Sequence, residues 1–226
     1  MATRIYGPSC RPQLGPIWRT LSACVAVLLC FAAVLGKLTG GLEYWSFEDV
    51  RRNDARLGRL AATALPVRTT QGSSQMLWSG AEDPLTIYIV SFIYTACPFV
   101  CQSLGSGYQQ MQDALAAQDT TASGRIRLVS LSFDIDRDDT GQLQAYADRY
   151  RATSPVWNVA VPISRTDSAR LLRQLGVVVV ADGFGGYVHN GAIHVIDANG
   201  TVLAIYDDRD WTEALSMALH RGARGP

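Results

Sequence analysis

The sequence predicts an α/β fold with a central mixed, mainly parallel sheet, preceded by one transmembrane helix. Three observations predict it. From Pro84 onward, short β-branched and aromatic runs alternate with helix-period segments. The alternation closes with two strands joined by Ala198-Asn199-Gly200 and a last helix. Ahead of all this, Thr20 to Gly36 carries no charge. Helices placed between strands imply parallel pairing, with both sheet faces covered.

The first segment, residues 1–16, has Arg4 and Arg11 and no acidic residue, and Arg19 follows. About 20 apolar residues cross a bilayer core as a helix, and the run over residues 17–38 is long enough. Basic residues before it put residues 1–16 in the cytoplasm and the remaining chain outside. The expected location is a cell inner membrane, single-pass, with the soluble domain facing the periplasm. A cleaved signal peptide is the competing reading. The run ends VLGKLTGG with no A-x-A-like site, and Leu21-Ser22-Ala23-Cys24, which resembles a lipoprotein box, opens the run instead of closing it. Either outcome exports the same domain.

Residues 39–64 read as a juxtamembrane stalk. Ser46-Phe47-Glu48-Asp49 has the spacing of a capping box. The following VRRNDARLGRLAA is basic and helix-prone, and it reads as a solvated spacer. The domain spans residues 65–222. LPVRTT and QMLW flank Gln71-Gly72-Ser73-Ser74, a hairpin with a polar turn. Leu85–Phe92 reads as a buried strand and Phe99 to Ala117 as a helix, with Leu104, Tyr108, Met111 and Leu115 at helical spacing. Arg125–Ser132 is the next strand, and Gly141 to Arg151 a helix with Leu143, Ala147 and Tyr150 on one face. VWNVAVP is a short strand, and SARLLRQLG a helix closed by Gly176. Val177–Val180, Ala192–Asp197 and Thr201–Tyr206 are further strands, and Trp211 to His220 is the final helix. A hairpin and helix closing a β-α-β-α-β-α unit is what the thioredoxin architecture adds, so the expected fold is thioredoxin-like.

Lys and Arg together number 20, as do Asp and Glu, and the net charge is zero. Without a basic stripe, that balance excludes an electrostatic grip on nucleic acid. Of the five cysteines, Cys10 falls in the cytoplasmic tail and Cys24 and Cys30 in the apolar span, where they read as apolar filler. Only Cys97 and Cys101 belong to the exported domain. Exported pairs usually staple loops, yet a ring this small crosslinks almost nothing.

Those two thiols follow a strand end, where open α/β sheets place ligand sites. Pro98 suits the first turn of the helix that follows. Cys97 at that N-terminal end gains thiolate character from the helix dipole. Cys101 falls on the same helix face one turn later. Two such thiolates can chelate a soft metal or close a disulfide. Two sulfurs favour Cu(I), and an added imidazole makes a site that also holds Cu(II), whereas a structural zinc site wants a fourth ligand. The spacer of three residues departs from the C-x-x-C of thioredoxins.

The stretch resembles the Sco/SenC family of copper chaperones and thiol-active proteins, whose signature is F-x-Y-T-x-C-P-x-x-C ahead of a helix. This chain supplies Phe92, Tyr94, Thr95, Cys97, Pro98 and Cys101. The likeness continues through Leu131-Ser132-Phe133-Asp134, Arg137 and Asp138 to His189, and covers about residues 65–220. It implies copper, as Cu(I) or Cu(II), bound by Cys97, Cys101 and His189 in aid of cytochrome c oxidase Cu-A assembly. The implied partners are the oxidase copper-site subunit or its assembly factors. The chain departs from the family at Phe99, where an acidic residue is common, and at Gln102, where a second Pro is. In the acidic loop, D-P-x-R-D-T in the family, Ile135 and Asp139 replace the Pro and the Thr.

A lone His is ordinarily solvated or hydrogen-bonded. Around His189, Gly183, Gly185, Gly186 and Gly191 suggest a mobile loop able to close over a metal. His194, inside an apolar strand, reads as structural, and His220 as a helix-terminal residue favouring the dipole. Asp134, Asp136 and Asp138 mimic an EF-hand start, but Asp139 and Ala145 stand where Gly and the bidentate Glu belong. A turn and capping cluster is the better reading, with Asp134 and Asp138 placed to orient the site. The glycines at 183–186 open no helix and make no dinucleotide fingerprint.

Two function classes remain. A metallochaperone needs His189 as well as reduced thiols, since a disulfide offers no thiolate. A thiol–disulfide oxidoreductase, reducing client cysteines, needs only Cys97 and Cys101 as redox-active thiols. A peroxiredoxin-like peroxidase is weaker, because the usual T-x-x-C surroundings are lacking.

Overall fold

A computed structural model describes residues 15–41, 44, 46–80, 83–97, 100–118 and 120–224, with Gly15, Pro16, Val100, Cys101 and Gln102 described in backbone only. Cys10, Pro98 and Phe99 lie outside the described residues. The chain forms two compact units that divide between Asp49 and Val50.

In the first unit, helix α1 covers Gly15–Leu38. Its Ile17–Leu38 portion is 22 residues long and apolar enough to cross a membrane. Side chains such as Trp18, Leu28, Leu29 and Phe31 are exposed along it, and Lys37 in the last turn suits the negative end of the dipole. Helix α2, Phe47–Arg56, starts on a reciprocal capping box. The Ser46 amide donates to Asp49 Oδ2 at 2.9 Å, and the Asp49 amide to Ser46 Oγ at 3.1 Å.

The second unit is built on a seven-stranded mixed sheet. Its strands are β1 (Leu65–Thr69), β2 (Ser74–Leu77), β3 (Ile87–Ile93), β4 (Ile126–Ser132), β5 (Trp157–Pro162), β8 (Ile193–Asp197) and β9 (Val202–Tyr206). They lie in the order β2-β1-β5-β4-β3-β8-β9. The pairs β3–β4 and β4–β5 are parallel, and the remaining ladders are antiparallel. The parallel centre is what the crossovers through α3 (Val100–Ala117) and α4 (Thr140–Tyr150) require.

All seven residues of β3 are buried, because period-2 alternation sends Ile87, Ile89 and Ile93 to one core and Tyr88, Val90 and Phe92 to the other. The first core is covered by α3, α4 and α6 (Trp211–Ala223), through Leu104, Tyr108, Met111, Leu143, Tyr146 and Ala218. The second is covered by Leu171 and Leu175 of α5 (Arg165–Leu175) and by Ala55 of α2. Each large apolar side chain buried this way contributes about 1.5–3 kcal/mol.

Two sequence expectations change. The segment after Val50 is not a solvated spacer. Ala55 is 1% exposed, Arg51 Nη1 donates to the Gly176 carbonyl at 3.1 Å, and Arg52 pairs with Asp207 at 2.5 Å. Further on, the Ala62 amide donates to the Gly200 carbonyl at 2.7 Å and the Val202 amide to the Leu60 carbonyl at 2.9 Å. This crossing requires glycine. Gly200 has φ +88°, and a Cβ there would sit 2.2 Å from the Ala62 carbonyl oxygen. The second change concerns Val177–Val180. The strand there is β6 (Val179–Ala181), and it pairs with β7 (Tyr187–His189) in a separate two-stranded ribbon outside the main sheet.

Candidate functional site

The polypeptide leaves the C-terminal end of β3 through Tyr94, Thr95 and Ala96 to Cys97, then enters α3. The Cys97 amide donates to the Tyr94 carbonyl at 3.2 Å, closing a tight turn. Cys97 is 8% exposed and belongs to the first core. Cys101 lies in the first turn of α3 by its backbone, and its side chain lies outside the described residues.

The turn is held from the β4–α4 loop. Asp138, 1% exposed, accepts from the Thr95 amide at 2.9 Å and from Thr95 Oγ1 at 2.6 Å. Its Oδ2 also accepts from Ser132 Oγ at 2.5 Å. A buried carboxylate is tolerated only with such partners, and three donors fix the peptide just before Cys97. Asp134, also buried, pairs with Arg137 Nε at 2.5 Å. Arg137 in turn donates to the Gly185 carbonyl, and its guanidinium stands 5.0 Å from the Tyr187 ring centre. One acidic loop therefore grips both the Cys97 turn and the β6–β7 ribbon. Asp139, where the family pattern has Thr, caps α4 by accepting from the Gly141 and Gln142 amides.

The ribbon tip is shaped by Asp182, whose Oδ1 accepts from the Phe184 and Gly186 amides at 2.8 and 2.9 Å. His189 sits in β7, opposite Val179. The glycine-rich neighbourhood suggests a loop; strand pairing places the residue instead. Its imidazole packs edgewise on Phe133, with ring centres 5.2 Å apart, and on Tyr94 at 6.4 Å. Tyr94 Oη bonds both the amide and the carbonyl of Tyr187 at 3.3 Å. The aromatic that opens the Cys97 turn thus also carries the ribbon, which brings His189 to that turn.

Nδ1 of His189 lies 3.4 Å from the Asn190 carbonyl. Nε2 is buried and has no hydrogen-bond partner among the described residues. With the proton on Nδ1, donating to that carbonyl, Nε2 keeps an open lone pair, the tautomer a metal ligand needs. Burial pushes the imidazole below its ordinary pKa, opposed by the Asn190 carbonyl and Asp208, so the neutral form prevails at neutral pH. Among the described residues, no three Cys, His, Asp or Glu side chains cluster as a metal cage.

His194, by contrast, is fully buried in β8, its ring set edgewise on Phe92. Tyr94 and Phe133, which pack on His189, belong to the stretches that resemble the family, whereas Tyr187, which packs on both of them, carries no recognisable spacing in the sequence. Only its aromatic character, two residues before the histidine, marks Tyr187.

The SCO1/SenC family model matches residues 85–224. A curated relative, the SCO1 protein homolog of Bacillus subtilis, is 21% identical over 123 residues, or 54% of this chain. The match spans 62% of that relative's length. Among solved structures, BsSco, described as a member of the Sco family of cytochrome c oxidase assembly proteins with a disulfide switch, superposes with a TM-score of 0.61 at 18% identity. That match covers 74% of this chain and 95% of the other. Bradyrhizobium japonicum ScoI with copper bound gives 0.57 at 16% identity, over 71% and 98%. At these identities the superpositions establish a common fold.

Proposed function

The chain belongs to the SCO1/SenC family, and from that premise we propose that it is a membrane-tethered chaperone that binds copper through Cys97, Cys101 and His189 and delivers it to the Cu-A site of cytochrome c oxidase. The observation that carries this reading is His189 Nε2, an imidazole nitrogen buried beside the turn that bears Cys97 and without a hydrogen-bond partner among the described residues. Leaving such an atom unsatisfied costs about 1–3 kcal/mol, and a metal removes the cost. Copper fits the donor set, since thiolates hold Cu(I) and the imidazole extends the site to Cu(II). Sco relatives solved with copper bound support the same metal. In this reading α1 spans the inner membrane with its N-terminus in the cytoplasm, and the domain faces the periplasm.

The residues divide the work. Asp138 fixes the peptide before Cys97, and Tyr94 and Phe133 pack on the His189 ring, whose burial favours its neutral form. Copper is cargo, so a three-donor site that binds firmly and still exposes the metal to an incoming ligand suits transfer. A second reading, thiol–disulfide exchange on client cysteines by Cys97 and Cys101, is favoured by the disulfide switch described for BsSco.

Copper titration of the reduced full chain in detergent tests both. His189→Ala is expected to abolish the thiolate-to-Cu(II) charge-transfer band and to weaken copper at least about tenfold, while leaving thiol exchange with a model disulfide unchanged. A His189→Ala protein that binds copper as wild type does removes His189 from the site. Loss of exchange only on Cys97→Ser or Cys101→Ser, with copper unaffected, favours the second reading.

A further inference from the structure

We propose that helix α2 is a positioning element for His189, acting through Arg51 and Arg52 on the two sides of the segment that carries the imidazole. The link between this clasp and copper rests on the ligand reading above.

The Gly176 carbonyl, just past α5, receives two donors. Arg51 Nη1 approaches from α2 at 3.1 Å, and Asn190 Nδ2 from the residue after His189, also at 3.1 Å. A carbonyl oxygen has two acceptor sites, so both are satisfied. Asn190 extends the connection, its Oδ1 accepting from the Val178 amide at 2.7 Å. Asn190 therefore pins the end of β7 to the entry of β6, and Arg51 pins that junction to α2. The approach is close. A Cβ on Gly176 would sit 2.3 Å from Arg51 Cζ, so the glycine that closes α5 with φ +60° also admits the guanidinium.

Arg52 makes the second arm by pairing with Asp207. The adjacent Asp208 packs on Gly191, with its Cβ 3.5 Å from where a Cβ on that glycine would be. Adjacent arginines of one helix thus connect to Asn190 through the Gly176 carbonyl and to Gly191 through the Asp207–Asp208 pair. Beyond these arms, Val179 packs against the second core and Val177 is buried in it. Val178, Val180 and Val188 of this segment are exposed, and Phe184 at the tip is 97% exposed. Loss of the Arg51 donor alone would loosen the His189 segment while Ala55 still covers the second core.

The test uses the full chain in detergent, with Arg51→Met, Arg51→Lys and Asn190→Ala. Met keeps the aliphatic stem against Gly176 and deletes the donor, and Lys restores one donor. Amide exchange across residues 177–191 is expected to rise about tenfold in Arg51→Met and Asn190→Ala, with β3 and β4 unchanged, and to recover in Arg51→Lys. Copper affinity is expected to fall about tenfold in step, with weaker nitrogen hyperfine coupling from the imidazole in the Cu(II) EPR spectrum. Wild-type exchange in residues 177–191 of Arg51→Met overturns the proposal, as does uniform loosening of the whole sheet by both deletions. If exchange responds while His189→Ala binds copper normally, the clasp stands and the copper reading falls.

Discussion

At the scale of single residues, burial sets the roles of the two histidines. His189 keeps one nitrogen toward its own backbone and the other enclosed and unpartnered. His194 lies fully inside β8, where burial and the nearby Arg51 charge lower its pKa to about 4, against a weak pull upward from the Leu175 carbonyl. The unfolded chain titrates this group near 6.5, so between those values the unfolded state binds more protons. Stability therefore falls as pH drops from about 6.5 toward 4, by about 3 kcal/mol in all. Urea unfolding across that range is expected to show the slope in wild type and a flatter one in His194→Gln. The ligand candidates were legible because thiols at helical spacing after a strand carry chemical meaning. Tyr94 and Phe133 stand in the family pattern, but their packing on His189 was not legible, since residues distant in sequence meet there only through folding. Asp138 stands between these cases. Its acidic loop suggested support for the site, but only the fold reveals that it grips Thr95 rather than a thiol.

At the scale of elements, strongly periodic segments could be read and short ones could not. The helical spacing of Leu104, Tyr108, Met111 and Leu115 marks the buried face of α3. The apolar run from Leu85 marks β3, which is buried on both faces. The ribbon strands β6 and β7 have three residues each, too few to show a period, and the intervening glycines suggest a loop. Strand pairing between Val179 and His189 is a non-local fact. The stalk was misjudged for a related reason. Its arginines look solvated in sequence, yet their partners, the Gly176 carbonyl and Asp207, are far along the chain. Caps were the most readable boundaries. Asp139 accepts from two amides at the start of α4, and Asp139→Ala is expected to cost about 1 kcal/mol in thermal or urea unfolding. A cost near zero would mean that solvent satisfies those amides equally well.

At the scale of the whole molecule, the acidic loop, the Cys97 turn and the ribbon converge at the C-terminal ends of the parallel strands, where crossovers leave side chains from distant segments facing one another. The same architecture leaves β9 at one margin of the sheet. An unpaired margin is an open template for another chain. Here the entering polypeptide lies against the first residues of β9, through Leu60, Ala61 and Ala62. A protein shortened to begin at Leu65 would uncover those amides and carbonyls. It is expected to self-associate in sedimentation at concentrations where a protein beginning at Ser46 stays dispersed. The short stretch between helix and sheet would then serve as a guard against unwanted strand addition, a duty separate from any metal.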